Sequence, residues 1–314
     1  MSTLSCYLGV DVSKDTLVVA CQRRRWKFAN TKAGHRKFIA QIQKLPGSAH
    51  VVCETTGSYH LSMCLALQQA GLSVTVASAA RIHYFGRSEG IIAKNDPIDA
   101  ELIERFAQAK QPPADPPLCR EQLALSENVT HRRQLVEMIK VLRTHRQQVL
   151  HPALVTEIDR SIAVLEKRLE AFERKLRVQI DSHPLWKKKL ALLTATKGVG
   201  FITALCLLAK MPELGTLNRG QCAALGGLAP YDDDSGKHQG KRSIRGGREE
   251  VRCALYMAAL TAAHFNPILK AFYQRLLDQK KVYKVAITAV MRKLLIYLNT
   301  VLKNAATPPL TTTS

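Results

Sequence analysis

The first third of the chain alternates short apolar runs with longer segments whose apolar residues recur every three or four positions. The short runs predict buried β-strands, and the longer segments predict helices with one apolar face. In chain order the predicted elements are strands at 6–10, 16–21 and 26–29, a helix at 33–45, a strand at 50–53, a helix at 59–70, a strand at 72–77 and a helix from Asp96 onward.

The start of the last of these helices carries two acids. Asp96 suits the N-cap, Pro97 suits the first helical position, and Asp99 falls at the third. Acids are favourable at a helix N-terminus, so a capping motif explains the pair if it is taken alone. Residues three apart on a helix lie on the same side, however, and two nearby carboxylates repel each other unless a proton or cation lies between them.

Two further acids lie at strand ends in an element order that is typical of the ribonuclease H-like fold. Asp11 ends the first predicted strand, and Glu54 ends the fourth. Loops at strand ends carry catalytic groups in many α/β folds. Four converging carboxylates are tolerated around hard cations, and Mg²⁺ prefers such oxygen ligands. We therefore predict a metal site suited to phosphodiester chemistry, formed by Asp11, Glu54, Asp96 and Asp99.

The remaining two thirds of the chain are predicted to be mostly helical. Proline-rich residues 112–118 form a stiff linker after an α/β domain at 1–111. Heptad-like spacing over 119–186 predicts a helical hairpin or coiled-coil arm, and the pattern does not separate an internal helix pair from a dimer-forming arm. A mostly helical domain at 187–306 and a disordered tail at 307–314 complete the predicted organisation.

The charge of this 314-residue chain changes the picture, because 46 Lys and Arg face 25 Asp and Glu, giving a net charge of +21. Such an excess favours a polyanionic partner, with nucleic acid as the default. Residues 187–303 hold 20 of the basic and 7 of the acidic residues. We expect no membrane span and no secretory signal, and the scattered cysteines indicate a reducing cytoplasm.

Two segments of the basic third are candidate nucleic-acid contacts. Lys197, Gly198 and Gly200 lie in a motif similar to a helix-hairpin-helix, whose turn presents backbone N–H groups to phosphate, although a plain tight turn would have the same sequence. A polar, glycine-rich loop follows, and its cations are Lys237, Lys241, Arg242, Arg245 and Arg248. Ser235 in this loop is either a nucleophile or part of a flexible nucleic-acid-binding loop, and its spacing does not choose between them.

Together these motifs resemble the DEDD-type transposases of bacterial insertion sequences, which pair a RuvC-like domain with a C-terminal serine-bearing domain. The resemblance covers nearly the whole chain. The matching segments are 9–11, 54–59 and 94–100 in the first part, and 198–200, 225–230, 235–236 and 252–257 in the second.

This resemblance implies that Mg²⁺ binds the four acids and that Ser235 attacks a DNA phosphodiester, giving a covalent phosphoserine intermediate. It implies donor and target DNA as partners, a structured non-coding guide RNA, and a homodimer or homotetramer in which the serine domain of one protomer completes the RuvC-like site of another. Arg245 stands where relatives often carry Lys. The acidic run 232–234 beside Ser235 belongs either to the metal environment or to solvent.

Three alternatives stay open at this stage. The first is a site-specific invertase with the same chemistry. The second is a RuvC-like nuclease that uses metal-bound water, which would leave Ser235 without a role. The third is a non-catalytic nucleic-acid-binding protein in which the acids only cap and orient.

Overall fold

A computed structural model describes residues 6–55, 57–90, 96–232, 240 and 242–306, with the main chain alone described at 96–98 and 306. The chain divides into two compact units, Met1–Cys119 and Arg120–Ser314. The predicted tail at 307–314 lies outside the residues described.

The N-terminal unit is built on one mixed sheet. Its elements are β1 (Cys6–Val12), β2 (Thr16–Cys21), β3 (Arg24–Ala29), α1 (Lys32–Ile42), β4 (Ala49–Glu54), α2 (Tyr59–Gln69), β5 (Ser73–Ala77), α3 (Ala79–Ser88) and α4 (Asp96–Lys110). The five strands lie in the order β3-β2-β1-β4-β5. The first three strands are antiparallel neighbours, whereas β4 is parallel to both β1 and β5. This arrangement is consistent with a ribonuclease H-like DEDD fold.

One helix of this unit, α3, is absent from the predicted element order. Its apolar contribution is small, because Ile82 is its one buried large side chain and Phe85 only packs edge-on against Phe106. Two such residues among charged neighbours give too weak a periodic signal to predict a helix from sequence.

Alternate residues of each central strand face opposite layers of helices. Leu8 and Val10 of β1 share a core with Phe38 of α1 and Met63 of α2. On the other face, a second apolar cluster joins Val52 of β4 to side chains of α3 and α4. The period of two in a strand therefore assigns each β1 and β4 residue to one layer.

The proline-rich segment after α4 runs along the outer edge of β5. The Asp115 backbone N–H donates to the Val74 carbonyl at 2.8 Å, and the Val76 N–H donates to Asp115 Oδ2 at 2.7 Å. The Thr75 hydroxyl donates to the Pro113 carbonyl. The extended segment thus covers an edge strand that would otherwise expose unpaired backbone groups.

The C-terminal unit is mainly helical, with one small hairpin. Its elements are α5 (Arg120–Gln148), α6 (Pro152–Asp181), α7 (Pro184–Thr194), α8 (Phe201–Lys210), α9 (Arg219–Leu225), β6 (Pro230–Tyr231), β7 (Ser243–Ile244), α10 (Glu249–Phe265), α11 (Pro267–Asp278) and α12 (Tyr283–Ala306). Ion pairs Arg132–Glu173 and Arg146–Asp159 show that α5 and α6 pack antiparallel.

The core of this unit centres on α8, α10 and α12, and the base of the α5–α6 pair contributes Leu125 and Ile180 to it. Residues Tyr283–Ala305 of α12 are long and apolar enough to resemble a membrane span, but half of that stretch is buried in this core. Leu294 and Leu298 are completely buried there, so packing explains its apolar character.

Candidate functional site

Asp11 and Glu54 face each other on neighbouring strands. β1 and β4 are parallel, and their register pairs Gly9 with Val52 and Val10 with Cys53. Asp11 and Glu54 are the next residues of the two strands, so continuing the same register by one step places them side by side. Neighbouring strands lie about 4.8 Å apart, so the two half-buried carboxyl side chains start from adjacent positions at one end of the sheet.

Both carboxylates belong to the sheet face that α4 covers. Gly9 lies directly beneath this helix, because a Cβ atom added to it would lie 2.2 Å from the Ala100 carbonyl oxygen. Val52 packs in the same cluster as the α4 side chains. Asp11 lies two residues after Gly9, and Glu54 lies two residues after Val52, so both acids share this face.

The direction of α4 brings its first turn toward the same end of the sheet. Ala100 lies over Gly9, and the later residue Glu104 reaches the β2–β3 turn, where its Oε1 accepts a hydrogen bond of 2.7 Å from the Gln22 N–H. That turn is at the end of the sheet opposite Asp11. The helix therefore runs antiparallel to β1, and its first residues point toward the carboxylate pair.

Of the four acids predicted from the sequence, the structure brings Asp11, Glu54 and the first turn of α4 to one end of the sheet. Asp99 is half-buried beside Ala100, and the side chain of Asp96 lies outside what is described. Asp11, Glu54 and Asp99 all have interaction partners. Within the described ranges no three His, Cys, Asp or Glu form a group that could hold a metal ion, so the four-acid site stays a prediction.

A buried carboxyl that the sequence interpretation missed helps to hold α4. Glu104 is 7% exposed, and it accepts hydrogen bonds from the Gln22 backbone and the Gln108 amide. Burial raises the pKa of this carboxyl above its ordinary value, and the backbone hydrogen bond opposes that rise. In the sequence, the sign of this buried acid was its place next to the apolar residue Ile103. The contacts of Glu104 indicate that it positions α4.

In the C-terminal unit, a short hairpin forms the neck of the loop that carries Ser235. Strands β6 and β7 are antiparallel, with Tyr231 opposite Ser243. Arg242 forms an ion pair with Asp232 across the neck. Arg245 donates to the Asp232 carbonyl at 3.4 Å, and its guanidinium lies 5.4 Å from the centre of the Tyr231 ring.

Three predicted site residues of that loop, Ser235, Lys237 and Lys241, lie outside the described residues. So do Asp233 and Asp234, whereas Asp232 belongs to the neck, where it pairs with Arg242. The ion-pair partner of Asp232 is therefore a cation of its own loop.

The base of the neck is closed by two glycines, which sequence analysis did not single out. Gly227 and Gly247 both have φ of +66°, and a Cβ atom on Gly247 would lie 2.2 Å from the Gly227 nitrogen. The Arg248 N–H donates to the Leu225 carbonyl at 2.8 Å. The paired glycines at 226–227 and 246–247 were the visible signal. They fix both ends of the serine loop to each other.

The predicted phosphate turn between α7 and α8 contains two glycines with different environments. Gly198 has φ of +102°, and an added Cβ atom would lie 2.6 Å from Ala262 Cβ, so this glycine permits close packing on α10. Gly200 is the N-cap of α8 and lies in open space, and Lys197 is exposed in the same turn. Gly200 and Lys197 are therefore accessible to a ligand, whereas Gly198 has a packing function.

Arg248, which was predicted to contact nucleic acid, is used mainly inside the protein. Its guanidinium lies 2.6 Å from a Glu213 carboxylate oxygen and donates to the Lys210 carbonyl at 2.8 Å. Because both contacts fix the start of α10, Arg248 has a structural role that its sequence context did not reveal.

Comparison with known proteins adds a family assignment to this geometry. Residues 8–154, which contain the four acids, match a family model of DEDD transposases of the IS110 type. Residues 190–274, which contain Ser235, match the model described as Transposase IS116/IS110/IS902 family.

Three curated relatives show the same similarity, two of them over nearly the whole chain. The chain is 27% identical over 305 residues to the pilin gene-inverting protein of Moraxella bovis, covering 92% of this chain and 93% of the relative. The Moraxella lacunata protein of the same name matches at the same identity and coverage. An uncharacterized 43.6 kDa protein of insertion element IS110 from Streptomyces coelicolor is 26% identical over 143 residues, which are 45% of this chain and 34% of the relative.

Proposed function

Because this chain belongs to the IS110 family of DEDD-type transposases and is a DNA transposase or recombinase, we propose that it cuts and rejoins DNA through a covalent bond to Ser235. A divalent metal, with Mg²⁺ as our choice, assists this reaction. Its proposed ligands are Asp11, Glu54, Asp96 and Asp99.

The observation that supports this proposal is that Asp11 and Glu54 directly follow the last paired residues of β1 and β4, on the sheet face that α4 covers. Their oxygen atoms, with those of the α4 acids, are the donors that Mg²⁺ prefers. A bound ion of this kind supplies charge stabilisation to the phosphate oxygens. The protein's own contribution is to hold two of the carboxylates at fixed positions on two central strands. A rotation of α4 relative to the sheet would separate its acids from these two.

The serine step is a balanced phosphoryl transfer. The Ser235 Oγ–phosphorus bond forms as the phosphorus–oxygen bond to one DNA sugar breaks, and the serine proton leaves to solvent while the sugar oxygen gains one. A sugar hydroxyl of a second DNA end then attacks the phosphoserine and releases the serine. The phosphate ester is conserved throughout, so rejoining needs no external energy source.

The hairpin neck supports a role for the serine loop in this step. Its two cations, Arg242 and Arg245, converge on Asp232 at the base of the loop, and guanidinium groups match phosphate as well as carboxylate. A DNA phosphate that enters the loop can replace Asp232 as the partner of these two guanidinium groups. The neck thus holds two paired cations at the described ends of the segment that carries Ser235.

The proposed partners follow from charge and from the resemblance. A net charge of +21 suits a protein that holds several nucleic-acid backbones at once. We propose that a structured non-coding RNA pairs with donor and target DNA, and that two or four copies assemble so that the serine of one meets the carboxylates of another. This assembly acts in the cytoplasm, on the bacterial nucleoid.

A second candidate function is site-specific inversion of a DNA segment. The specific support is the similarity to pilin gene-inverting proteins over 92% of the chain. Inversion and transposition use the same cutting and rejoining steps, so the substrate distinguishes them. Inversion requires two inverted sites in one DNA molecule, whereas transposition joins an element end to a separate target.

The decisive experiment looks for a DNA-linked protein band on denaturing gels. Wild type, Ser235→Ala, Asp11→Asn and the control Ser243→Ala are incubated with Mg²⁺, element-end DNA and the co-purified RNA. Ser243 is exposed in the hairpin neck and gives the same chemical change in the same loop. We expect the adduct in wild type and Ser243→Ala, and its loss in the other two and in EDTA.

Other outcomes contradict parts of this proposal. An adduct that persists in Ser235→Ala assigns the nucleophile to another residue. Clean cleavage without an adduct, lost only in Asp11→Asn and EDTA, indicates a metal-dependent nuclease. Adduct formation that survives complete digestion of the RNA contradicts RNA guidance and leaves the serine chemistry in place.

A further inference from the structure

A lysine lies in the same row of the sheet as Asp11. Asp11 of β1 is paired with Val18 of β2, and Val18 is paired with Lys27 of β3. The row therefore runs from Asp11 through Val18 to Lys27, and continuing the β1–β4 register by one step adds Glu54 at its other end. Directly paired residues point to the same face of a sheet, so the Lys27 side chain leaves the sheet on the face that carries the carboxylates.

The spacing of strands gives the distance along this row. Lys27 is two strands from Asp11, or about 10 Å between backbones. Its side chain is exposed on the edge strand. Among the described residues its ammonium group forms no ion pair with either carboxylate, so direct contact does not neutralise it.

The next cation along β3 on the same face is already neutralised. Arg25 donates to Glu101 at 2.7 Å, which ties β3 to α4. The Lys27 side chain makes no hydrogen bond or ion pair with any residue that the structure describes. Of these two cations, Lys27 alone is available to an external anion beside the site.

We propose that Lys27 contacts a DNA phosphate that flanks the phosphate reacting at Asp11 and Glu54. This inference rests on the proposed function, since it takes DNA as the ligand of the carboxylate site. A strand that places one phosphate at the carboxylates continues past the edge of the sheet, and a lysine there compensates the charge of the next part of the backbone. The lysine thereby sets the direction in which the strand crosses the sheet.

A structural reading of the same residue competes with this one. Lysines on edge strands also prevent sheets from pairing edge to edge with other chains. That role requires only a charge on β3 and no particular row. The two readings differ in what they predict for DNA binding, which can be measured without catalysis.

The test compares Lys27→Ala with Lys37→Ala in the full-length protein. Lys37 is an exposed lysine of α1, the helix on the opposite face of the sheet, so both variants lose one positive charge. Binding to duplex element-end DNA is measured in EDTA over a range of salt concentrations. Each phosphate contact contributes about 0.9 to the slope of log K against log salt. We expect Lys27→Ala to lose about one such contact, Lys37→Ala to keep the wild-type slope, and Lys27→Arg to restore it.

A second measurement locates the contact on the DNA. Single phosphates near the cleavage position are replaced one at a time by uncharged methylphosphonates. Wild type should lose several-fold affinity at one flanking position, and Lys27→Ala should be insensitive there while responding normally elsewhere. The proposal is overturned if both lysine variants keep the wild-type slope, if no position is coupled to Lys27, or if Lys27→Ala changes only self-association.

The failure of this inference is separable from failure of the proposed function. Binding in EDTA does not depend on Ser235 or on a metal, so a wild-type protein that forms no adduct still reports on Lys27. Conversely, an adduct that forms normally with an unchanged salt slope in Lys27→Ala refutes the lysine contact alone.

Discussion

The close contact between β1 and α4 gives a prediction whose size follows from the structure. In Gly9→Ala, the new Cβ atom would lie 2.2 Å from the Ala100 carbonyl oxygen and 2.3 Å from the Glu104 nitrogen. Both neighbours are helix backbone, which cannot rotate away as a side chain would. To restore ordinary van der Waals contact, α4 has to move by about 1 Å relative to β1.

Two quantities should change together. Overpacking of this kind destabilises a protein by about 1–3 kcal/mol. Under the proposed function, the same shift displaces Asp99 and the start of α4 from Asp11 and Glu54, and a misplacement of about 1 Å costs about 100-fold in rate. We therefore expect a lower free energy of unfolding in urea and adduct formation that is about 100-fold slower in protein that is still folded and still binds DNA.

The matched control is Gly220→Ala in α9. A Cβ atom there meets only Asn218 Oδ1 at 3.4 Å, which is ordinary contact, and alanine is a better helix former than glycine. This variant should be as stable as wild type or slightly more so, with an unchanged adduct rate. If Gly9→Ala unfolds at the wild-type urea concentration and forms adduct at the wild-type rate, α4 does not lie on β1 as the structure has it.

Two further predictions concern packing and pH. Gly198→Ala should lower the free energy of unfolding by about 2 kcal/mol or more, because the added Cβ meets Ala262 at 2.6 Å and the backbone φ is +102°. Weaker DNA binding with unchanged thermal unfolding would contradict the packing role of Gly198. Glu104 has its pKa raised in the folded protein, so the folded state holds its proton to higher pH and the free energy of unfolding falls as pH rises through that pKa. Glu104→Gln can still accept from the Gln22 N–H, and its free energy of unfolding should fall less with rising pH than that of wild type. Urea titrations at several pH values measure this dependence, and identical slopes in the two proteins would refute the prediction.

The sequence by itself determined the order of elements in the N-terminal unit, with the exception of α3, and the positions of the acids within it. Continuous apolar runs marked β1, β2 and β4, because a buried strand needs apolar side chains that pack on both faces. Asp11 and Glu54 interrupt such runs at their ends, so they stood out as polar positions that packing does not explain. The motifs around them also sufficed for the family resemblance, which the comparisons confirm.

Only the tertiary structure decided which residues meet. The alignment of Asp11, Val18 and Lys27 in one row depends on the register of three strands, and register is set by non-local backbone pairing that no local pattern contains. The helix α3 had too few apolar residues to be visible in the sequence. The contacts of Gly9, Gly198 and Gly247 were equally hidden, because a glycine in the sequence does not tell which backbone comes close to it.

The same distinction applies to charge. Composition gave the basic excess, but Arg25, Arg242 and Arg248 are paired within the fold while Lys27 is not. Whether a cation is available to DNA is a matter of which acid lies beside it in space. The sequence therefore determined what kind of partner this protein binds, and the fold decided which of its cations can contact that partner.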